Sequence, residues 1–260
     1  MSDVQVKILS PRSDVPFVAN WFKLAQDSHF WMQGRLFALL KQFRRNHIPV
    51  DRPWRGLEIG CGHGVLRSQI ERNTQWTVDG VDLDLASLKE NPICRGDAYL
   101  YDIFDRQHFF KEYFDFLILY DVIEHVEHVG PFLEACLFHL KPGGYVFINV
   151  PALKSLNSHY DKVVGHWRRY DRDMLAGEIE QAGLEIVHIN YWGLSFLPLL
   201  FLRKIFLAKD PKDSVVVEKG FNFHESILNN LFKAIIWGEV AVLPDPFLGT
   251  SVMAIARKKL

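Results

Sequence analysis

Two hydrophobic rhythms run along this chain, and each switch between them marks an element. Short apolar runs bounded by glycine or an acid read as buried strands; stretches with apolar residues every three or four positions read as helices. Gly56-Leu-Glu-Ile-Gly60 reads as a strand leaving its sheet, and helical spacing follows over 65–73. Trp76-Thr-Val-Asp-Gly-Val-Asp82 supplies a second strand ending on an acid, then a helix over 85–90, a turn at Asn91-Pro92, and a polar Arg95-Gly-Asp-Ala98 segment where a third strand should end. Phe114-Asp-Phe-Leu-Ile-Leu-Tyr120 is the clearest strand of all. Helical spacing over 132–140 is stopped by Pro142-Gly-Gly144 before a strand over 145–150, and a helix over 173–182 is stopped by Gly183 before a strand over 184–190. This alternation predicts a parallel α/β sheet.

Two stretches interrupt the rhythm. Residues 17–46 hold Trp21, Phe22, Phe30, Trp31, Phe37 and Phe43 among helix-compatible neighbours, which predicts an N-terminal helical region over a core. Residues 192–246 contain Pro198, an Asp210-Pro-Lys-Asp213 turn and an amphipathic helix candidate over 223–237. They read as an insertion or lid before a last strand over 250–256. The most apolar run, 194–207, is too short to span a bilayer and is broken by Pro198, Arg203 and Lys204. It is either a buried cap helix or, with Arg203, Lys204 and Lys209 toward lipid headgroups, a peripheral membrane contact. Oligomerisation through that surface stays open.

Composition narrows the class. The 260 residues, 48% hydrophobic and 23% charged, suit one catalytic domain over 1–260 with decorations. A formal net charge of -1 gives no overall field for gripping a nucleic-acid backbone, so nucleic acid is not the expected partner. Cys61, Cys94 and Cys136 lie far apart with no CxxC pair, which disfavours disulfides and structural zinc and points to a reducing cytoplasm. The first residues lack the apolar core of a secretory signal, so export is not expected.

The segment Glu58-Ile-Gly60-Cys-Gly62-His-Gly64 follows a strand and opens a helix, where glycines let backbone approach a ligand closely. Asp82, 22 residues beyond Gly60, ends the next strand, where a carboxylate can accept from both hydroxyls of a ribose. A dinucleotide loop wants GxGxxG; here position 65 is Val65 and the spacing is GxGxG, so pyrophosphate is the weaker reading. Glu58 suits the cationic amino group of an amino-acid-bearing cofactor, whereas a pyrophosphate gains nothing from it.

Leu57-Glu-Ile-Gly-Cys-Gly-His-Gly64 thus resembles the first motif of class I S-adenosylmethionine-dependent methyltransferases. Asp82 matches that family's ribose-binding acid, Gly96-Asp97-Ala98 its adenine segment, 114–121 its fourth strand, and Leu140-Lys-Pro-Gly-Gly144 its characteristic turn. The resemblance covers roughly 17–191 and the last strand. It implies a doubly wound, mostly parallel, seven-stranded Rossmann-like sheet, S-adenosylmethionine as cofactor and S-adenosylhomocysteine as product. It further implies that Tyr120 meets the methionine part through its backbone and that Arg35 pairs with the cofactor carboxylate, although a solvated helix arginine is an equal alternative.

Methyl transfer is an in-line displacement from a sulfonium, so the protein must align, desolvate and, for a hydroxyl acceptor, remove a proton. Asp121-Val-Ile-Glu124-His125 follows the fourth strand beside the cofactor. His125 is either a general base or, with Glu124, an anchor of the local backbone. Some quinone-pathway and small-RNA methyltransferases hold a divalent ion on a similar acid-x-x-Glu-His segment, with glutamate where Asp121 stands; no metal is assigned. His166 in Gly165-His-Trp-Arg-Arg-Tyr170 is a second base candidate, and Arg168, Arg169 and Tyr170 either bind an anionic group or clamp the loop. The expected reaction is methylation of a small-molecule hydroxyl on a sugar, quinone or lipid-linked precursor. The alternative is a non-catalytic cofactor-binding or scaffold module with the same fold.

Overall fold

The computed structural model describes residues 5–11, 26–207, 227–243 and 245–260. Trp21, Phe22, Lys209, the Asp210-Pro-Lys-Asp213 turn and the first residues of the expected 223–237 helix lie outside them. The described strands are β1 (Val6–Ile8), β2 (Arg55–Ile59), β3 (Thr77–Asp82), β4 (Ala98–Leu100), β5 (Phe114–Tyr120), β6 (Leu140–Pro151), β7 (Leu184–Trp192) and β8 (Ser251–Lys258). They form one eight-stranded sheet in the order β1-β4-β3-β2-β5-β6-β8-β7. All pairings are parallel except those of β8, which lies antiparallel between β6 and β7.

The resemblance implies seven strands, and β1 is the addition. Its three residues are too few for a two-residue period to show in sequence, and it exists because the edge of β4 accepts it, Val6 lying opposite Ala98. The third expected strand is also displaced: β4 begins at Ala98 instead of ending there. The polar segment before it is claimed by carboxylates. Glu71 accepts from the amides of Arg95 and Gly96, and Asp79 from that of Asp97, so these amides are not available for ladder bonds. β6 starts early because Leu140 pairs with Phe114 before a register shift carries the chain through Gly143 and Gly144.

Each face of the sheet has its own core. On one, α1 (Phe30–Arg45) and α2 (Val65–Asn73) pack Leu39, Phe43, Leu66 and Ile70 against Val78, Phe116, Ile118 and Phe147. Trp76 lies fully buried there among Trp54, Phe43 and Phe116. Burying an aromatic side chain of this kind contributes on the order of 2–3 kcal/mol. A short helix, α3 (Leu85–Lys89), follows β3. On the other face, α4 (Val129–Phe138) and, after the one-turn α5 (His159–Val163), α6 (Arg172–Gln181) cover the sheet. Leu133, Cys136, Leu175 and Ile179 of α4 and α6 pack there over Leu117, Leu119, Ile148 and Val150.

Within the 192–246 stretch the described residues form two helices, α7 (Leu197–Leu207) and α8 (Ile227–Val242). α8 lies on α1, with Phe232 against Phe30 and Trp237 against Phe37. Its buried Glu239 accepts from the amides of Gly193, Leu194 and Ser195, tying the chain leaving β7 to α8. The sheet order reverses between β2 and β5: the chain runs outward through β3 and β4 on one side and through β5 and β6 on the other. Doubly wound sheets bind ligands at such a switch point, outside the carboxyl ends of the strands.

Candidate active site

The glycine loop leaves β2 at this switch point. The amides of Gly60 and Cys61 both donate to the Val81 carbonyl, at 2.9 and 3.0 Å, holding the loop across the end of β3. Gly60 and Gly64 have φ of 70° and 67°, left-handed values that L side chains rarely adopt. A Cβ at Gly60 would lie 2.9 Å from Val122 Cγ2, and one at Gly64 would lie 2.0 Å from Asn91 Oδ1. Both positions therefore demand glycine on two independent grounds. Asp82 Oδ2 accepts from the Gly62 amide at 2.8 Å and Oδ1 from the Asp84 amide at 2.9 Å, while Asn91 Nδ2 donates to the Gly62 carbonyl at 2.7 Å. Burial pushes the Asp82 carboxyl upward, partly offset by these amides.

Glu58 sits beneath the loop. Its Oε2 accepts from the Arg67 amide at 2.9 Å, satisfying one of the orphan donors in the first turn of α2, where Gly64 offers no side-chain cap. Burial raises its carboxyl from 4.5 to about 7, against the opposing charges of Arg35 and Arg67.

Across the switch point, β5 ends at Tyr120 and the chain turns through Asp121, which has φ of 57° and is no glycine. Three bonds hold this unfavourable conformation. Asp121 Oδ1 accepts from Asn149 Nδ2 at 2.8 Å, Oδ2 pairs with Arg35 Nη1 at 2.6 Å, and its amide donates to the Asn149 carbonyl. Arg35 is 6% exposed, so it is not a solvated helix arginine. Its guanidinium lies 5.6 Å from the Tyr120 ring centroid, and both its Nε and the Tyr120 hydroxyl are buried without a hydrogen-bond partner. Asn149 continues the network by accepting from Trp192 Nε1 at 2.8 Å.

Next along the same edge, a 3-10 turn over Ile123–His125 brings Glu124 and His125 against His166. One ligand atom from each of the three lies within 4.8 Å of the others, and the two imidazole centroids are 4.7 Å apart. Both Glu124 oxygens are buried without a partner, and burial together with the Asp121 charge holds its carboxyl far above the usual range. Burial, with His166 nearby, pushes His125 down to about 4, leaving a neutral ring of little proton affinity. His166 differs: its Nδ1 lies 3.0 Å from Asp161 Oδ1. Asp161 also accepts from Arg169 Nε at 2.7 Å and from the amide and hydroxyl of Ser158, and although burial acts upward, these donors hold its carboxyl well below the usual range. A carboxylate on Nδ1 fixes the proton there and leaves Nε2 as the acceptor.

Not every residue named from sequence reaches this edge. Asp97 precedes β4 and lies toward its amino end, bonded to Lys7 Nζ at 2.8 Å and Tyr99 Oη at 3.1 Å. Ala98 pairs with Gly80, two positions before Asp82, and packs with Cys61, Leu88 and Leu100. The carboxyl end of β4 instead leads into Tyr101 and Asp102. Arg168 donates to the Val126 and Glu127 carbonyls and Arg169 to the Ala152 carbonyl, while Tyr170 is fully buried, so these side chains clamp the loop. Conversely, no motif marks Asp161, Asn149 or Asn91 as site residues. Ser158 and Asp161 stand three apart at the start of α5, a capping-box spacing, and that is the one available signal.

The methyltransferase-domain family profile matches residues 24–189, well over half of the chain. The chain belongs to that family. Its fold agrees: the phosphoethanolamine N-methyltransferase 2 of Haemonchus contortus, solved with S-adenosyl-L-methionine, superposes with a TM-score of 0.57 at 17% identity over 96% of this chain and 62% of that one. Among sequence relatives, the ubiquinone biosynthesis O-methyltransferase of Paracidovorax citrulli is 32% identical over 102 residues, 36% of this chain and 42% of the relative. The protein of the same name from Burkholderia cenocepacia is 28% identical over 167 residues, 56% of this chain and 69% of the relative. The chain thus spans less than half the length of the first relative. As a class I S-adenosylmethionine-dependent methyltransferase, it takes S-adenosylmethionine as its cofactor. The left-handed glycines, the helix-capping Glu58 and the unpartnered Arg35 Nε fit the amino-acid and ribose parts of that molecule.

Proposed function

We propose that this protein transfers a methyl group from S-adenosylmethionine to a hydroxyl of a small molecule, with a phenol of a quinone precursor as the first acceptor to test. One observation carries the reading: the Asp161–His166 pair stands beside the switch-point edge, 3.0 Å apart, with the tautomer that leaves Nε2 as the proton acceptor. The bound cofactor supplies an activated methyl on a sulfonium. Gly60, Gly62, Gly64 and Asp82 present backbone and carboxylate to its nucleoside, Glu58 receives its ammonium, and Arg35 its carboxylate. An uncharged hydroxyl is a poor nucleophile and must lose its proton as the methyl arrives; His166 Nε2 takes it, and Asp161 stabilises the imidazolium that results. His125, with low proton affinity, orients His166 and the acceptor. The relatives' name, ubiquinone biosynthesis O-methyltransferase, supports an oxygen acceptor.

A second reading of the same three residues rests on Glu124. Two buried carboxylate oxygens without partners, next to a neutral imidazole and a second histidine, form a suitable donor set for a divalent cation. Such an ion would lower the acceptor's pKa, with Glu124, His125 and His166 holding it and Asp161 steadying His166 from behind.

The deciding experiment begins with calorimetric titration of S-adenosylhomocysteine, with NAD as control, and proceeds to labelled methyl transfer onto catechol-type acceptors before and after chelation. Binding of the first ligand alone, with transfer that survives chelation, supports the base. Transfer lost on chelation and restored by magnesium or zinc supports the ion. Cofactor binding with no acceptor methylated across a broad panel would favour the scaffold alternative.

A further inference from the structure

Helix α8 grips α1 along one stripe of its surface. Phe30, Gly34, Phe37 and Lys41 recur every three or four positions along α1, and each meets α8. The Phe30 amide, an orphan donor in the first turn of α1, donates to Asn229 Oδ1 at 2.8 Å, and Asn229 Nδ2 donates to the Ser28 carbonyl at 3.1 Å. The start of α1 is thus capped by a buried side chain of the insertion. One turn on, a Cβ at Gly34 would run into the Ile236 side chain, so the two helices touch there with no room to spare. Phe37 lies against Trp237, and Lys41 Nζ donates to the Val240 and Ala241 carbonyls at the end of α8.

The neighbouring stripe of α1 faces the switch-point edge. Trp31 stacks on Trp192 with ring centroids 4.6 Å apart, and Arg35, four residues on, pairs with Asp121 Oδ2 at 2.6 Å. A second route ties the same edge to α8. Glu239 Oε1 accepts from the Gly193 and Leu194 amides, each at 2.8 Å, and Oε2 accepts from the amide and hydroxyl of Ser195. Gly193 follows Trp192, whose Nε1 donates to Asn149 Oδ1; Asn149 Nδ2 donates to Asp121 Oδ1, and Asp121 returns to Arg35. α8 therefore holds Arg35 twice, through the helix that carries it and through the carboxylate that pairs with it.

We propose that α8 is a positioning element of the cofactor site, with Asn229 and Glu239 setting the Arg35 guanidinium for the carboxylate of S-adenosylmethionine. This rests on the assignment of that carboxylate to Arg35 made above. A planar guanidinium binds a carboxylate well only at a fixed angle and distance, so a small displacement of α1 or of Asp121 costs affinity for the amino-acid part of the cofactor and leaves the nucleoside contacts of the glycine loop alone. By linkage, cofactor bound at Arg35 steadies α8 by the same free energy that α8 lends to binding.

The test is calorimetric titration of the full chain with two ligands, S-adenosylhomocysteine and 5′-methylthioadenosine, the second of which keeps the nucleoside and the sulfur but has no carboxylate or ammonium. Arg35→Ala should weaken the first by on the order of 10- to 100-fold and leave the second within about twofold. Asn229→Ala and Glu239→Gln, the latter turning an accepting oxygen into a donor that faces other donors, should each weaken the first by about three- to tenfold. Unchanged binding of the second ligand shows that these variants are folded. In the Arg35→Ala background the same substitutions should cost nothing further, because their effect passes through Arg35. Ile236→Val, which trims only the methyl nearest Gly34, is the mildest change in α8 and should show the same selectivity if the others do not fold. Variants that weaken both ligands alike, or neither, overturn the proposal, as does full additivity with Arg35→Ala. An Arg35→Ala that fails to separate the two ligands instead removes the carboxylate assignment itself, and the proposal falls with it.

Discussion

The β2–β3 side and the β5–β6 side of the switch point are built on opposite plans. On the β2–β3 side the site is made of backbone: three glycines, two amides on one carbonyl, and carboxylates of Asp82 and Glu58 committed to loop and helix amides. On the β5–β6 side it is made of side chains from separate segments, with Arg35, Asp121 and Asn149 in one cluster and Glu124, His125, Asp161 and His166 in the other. A backbone site tolerates no Cβ; a side-chain site tolerates no loss of a partner. On the reading proposed above, the first plan serves the cofactor's nucleoside, while the second is shared between the cofactor's carboxylate at Arg35 and an acceptor at His166.

The sharpest way to separate the two sides is His166→Ala. Removing a positioned base costs a factor of roughly 10²–10⁴ in turnover. Affinity for S-adenosylhomocysteine should stay within about twofold, because His166 belongs to the other plan. Parallel losses in both would mean that the two sides are one cooperative unit. Gly60→Val is the reciprocal change. It places a β-branched residue at φ of 70° and 2.9 Å from Val122, and cofactor affinity should fall by on the order of a hundredfold or more. Calorimetry on a variant with an unchanged circular dichroism spectrum is the check, and unaltered affinity would remove the loop from the site.

The contrast also explains what the sequence made legible. Glycine spacing, the strand-terminal Asp82 and the alternation of strands with helices are local signals, and each appears in the structure near its expected place. The β5–β6 side depends on tertiary contact. Asp121 pairs with Arg35 across 86 positions and Asn149 with Trp192 across 43, and no period or motif links such residues. Asp97 shows the converse: a short Gly-Asp-Ala pattern matched a motif, but carboxylates hold the amides of Arg95, Gly96 and Asp97 itself, and the strand begins where the pattern has it ending.

Asp161→Asn tests whether the side-chain plan has depth. The amide side chain would keep one acceptor oxygen but present an NH₂ group to His166 or Arg169, so the imidazole loses its fixed tautomer. Turnover should drop about 10- to 100-fold, less than for His166→Ala, and the pH–rate profile should move, whereas a purely structural Asp161 would lower thermal stability alone. Rescue of the profile by Asp161→Glu would confirm that the carboxylate charge is what His166 needs.

The smallest effect concerns Glu58, where the backbone plan contains one titrating group. In the free protein burial holds this carboxyl at about 7 against its ordinary 4.5, so below neutrality it is protonated and cannot attract an ammonium. With Glu58 receiving the cofactor's ammonium as proposed, binding would favour the charged form, and affinity should rise with pH between about 6 and 8, by roughly tenfold, with release of a proton. Stability of the free protein runs the other way. A folded-state value above the unfolded one gives a contribution fully present below 4.5 and lost as pH climbs through about 7, so unfolding free energy should slope downward across that window. Glu58→Gln should flatten both dependences at once, since the amide stays neutral at every pH and still accepts from the Arg67 amide. Titration calorimetry in buffers of different ionisation enthalpy reads the proton release directly. A wild-type affinity that does not change between about pH 6 and 8 would place the ammonium elsewhere and leave Glu58 as the cap of α2 alone.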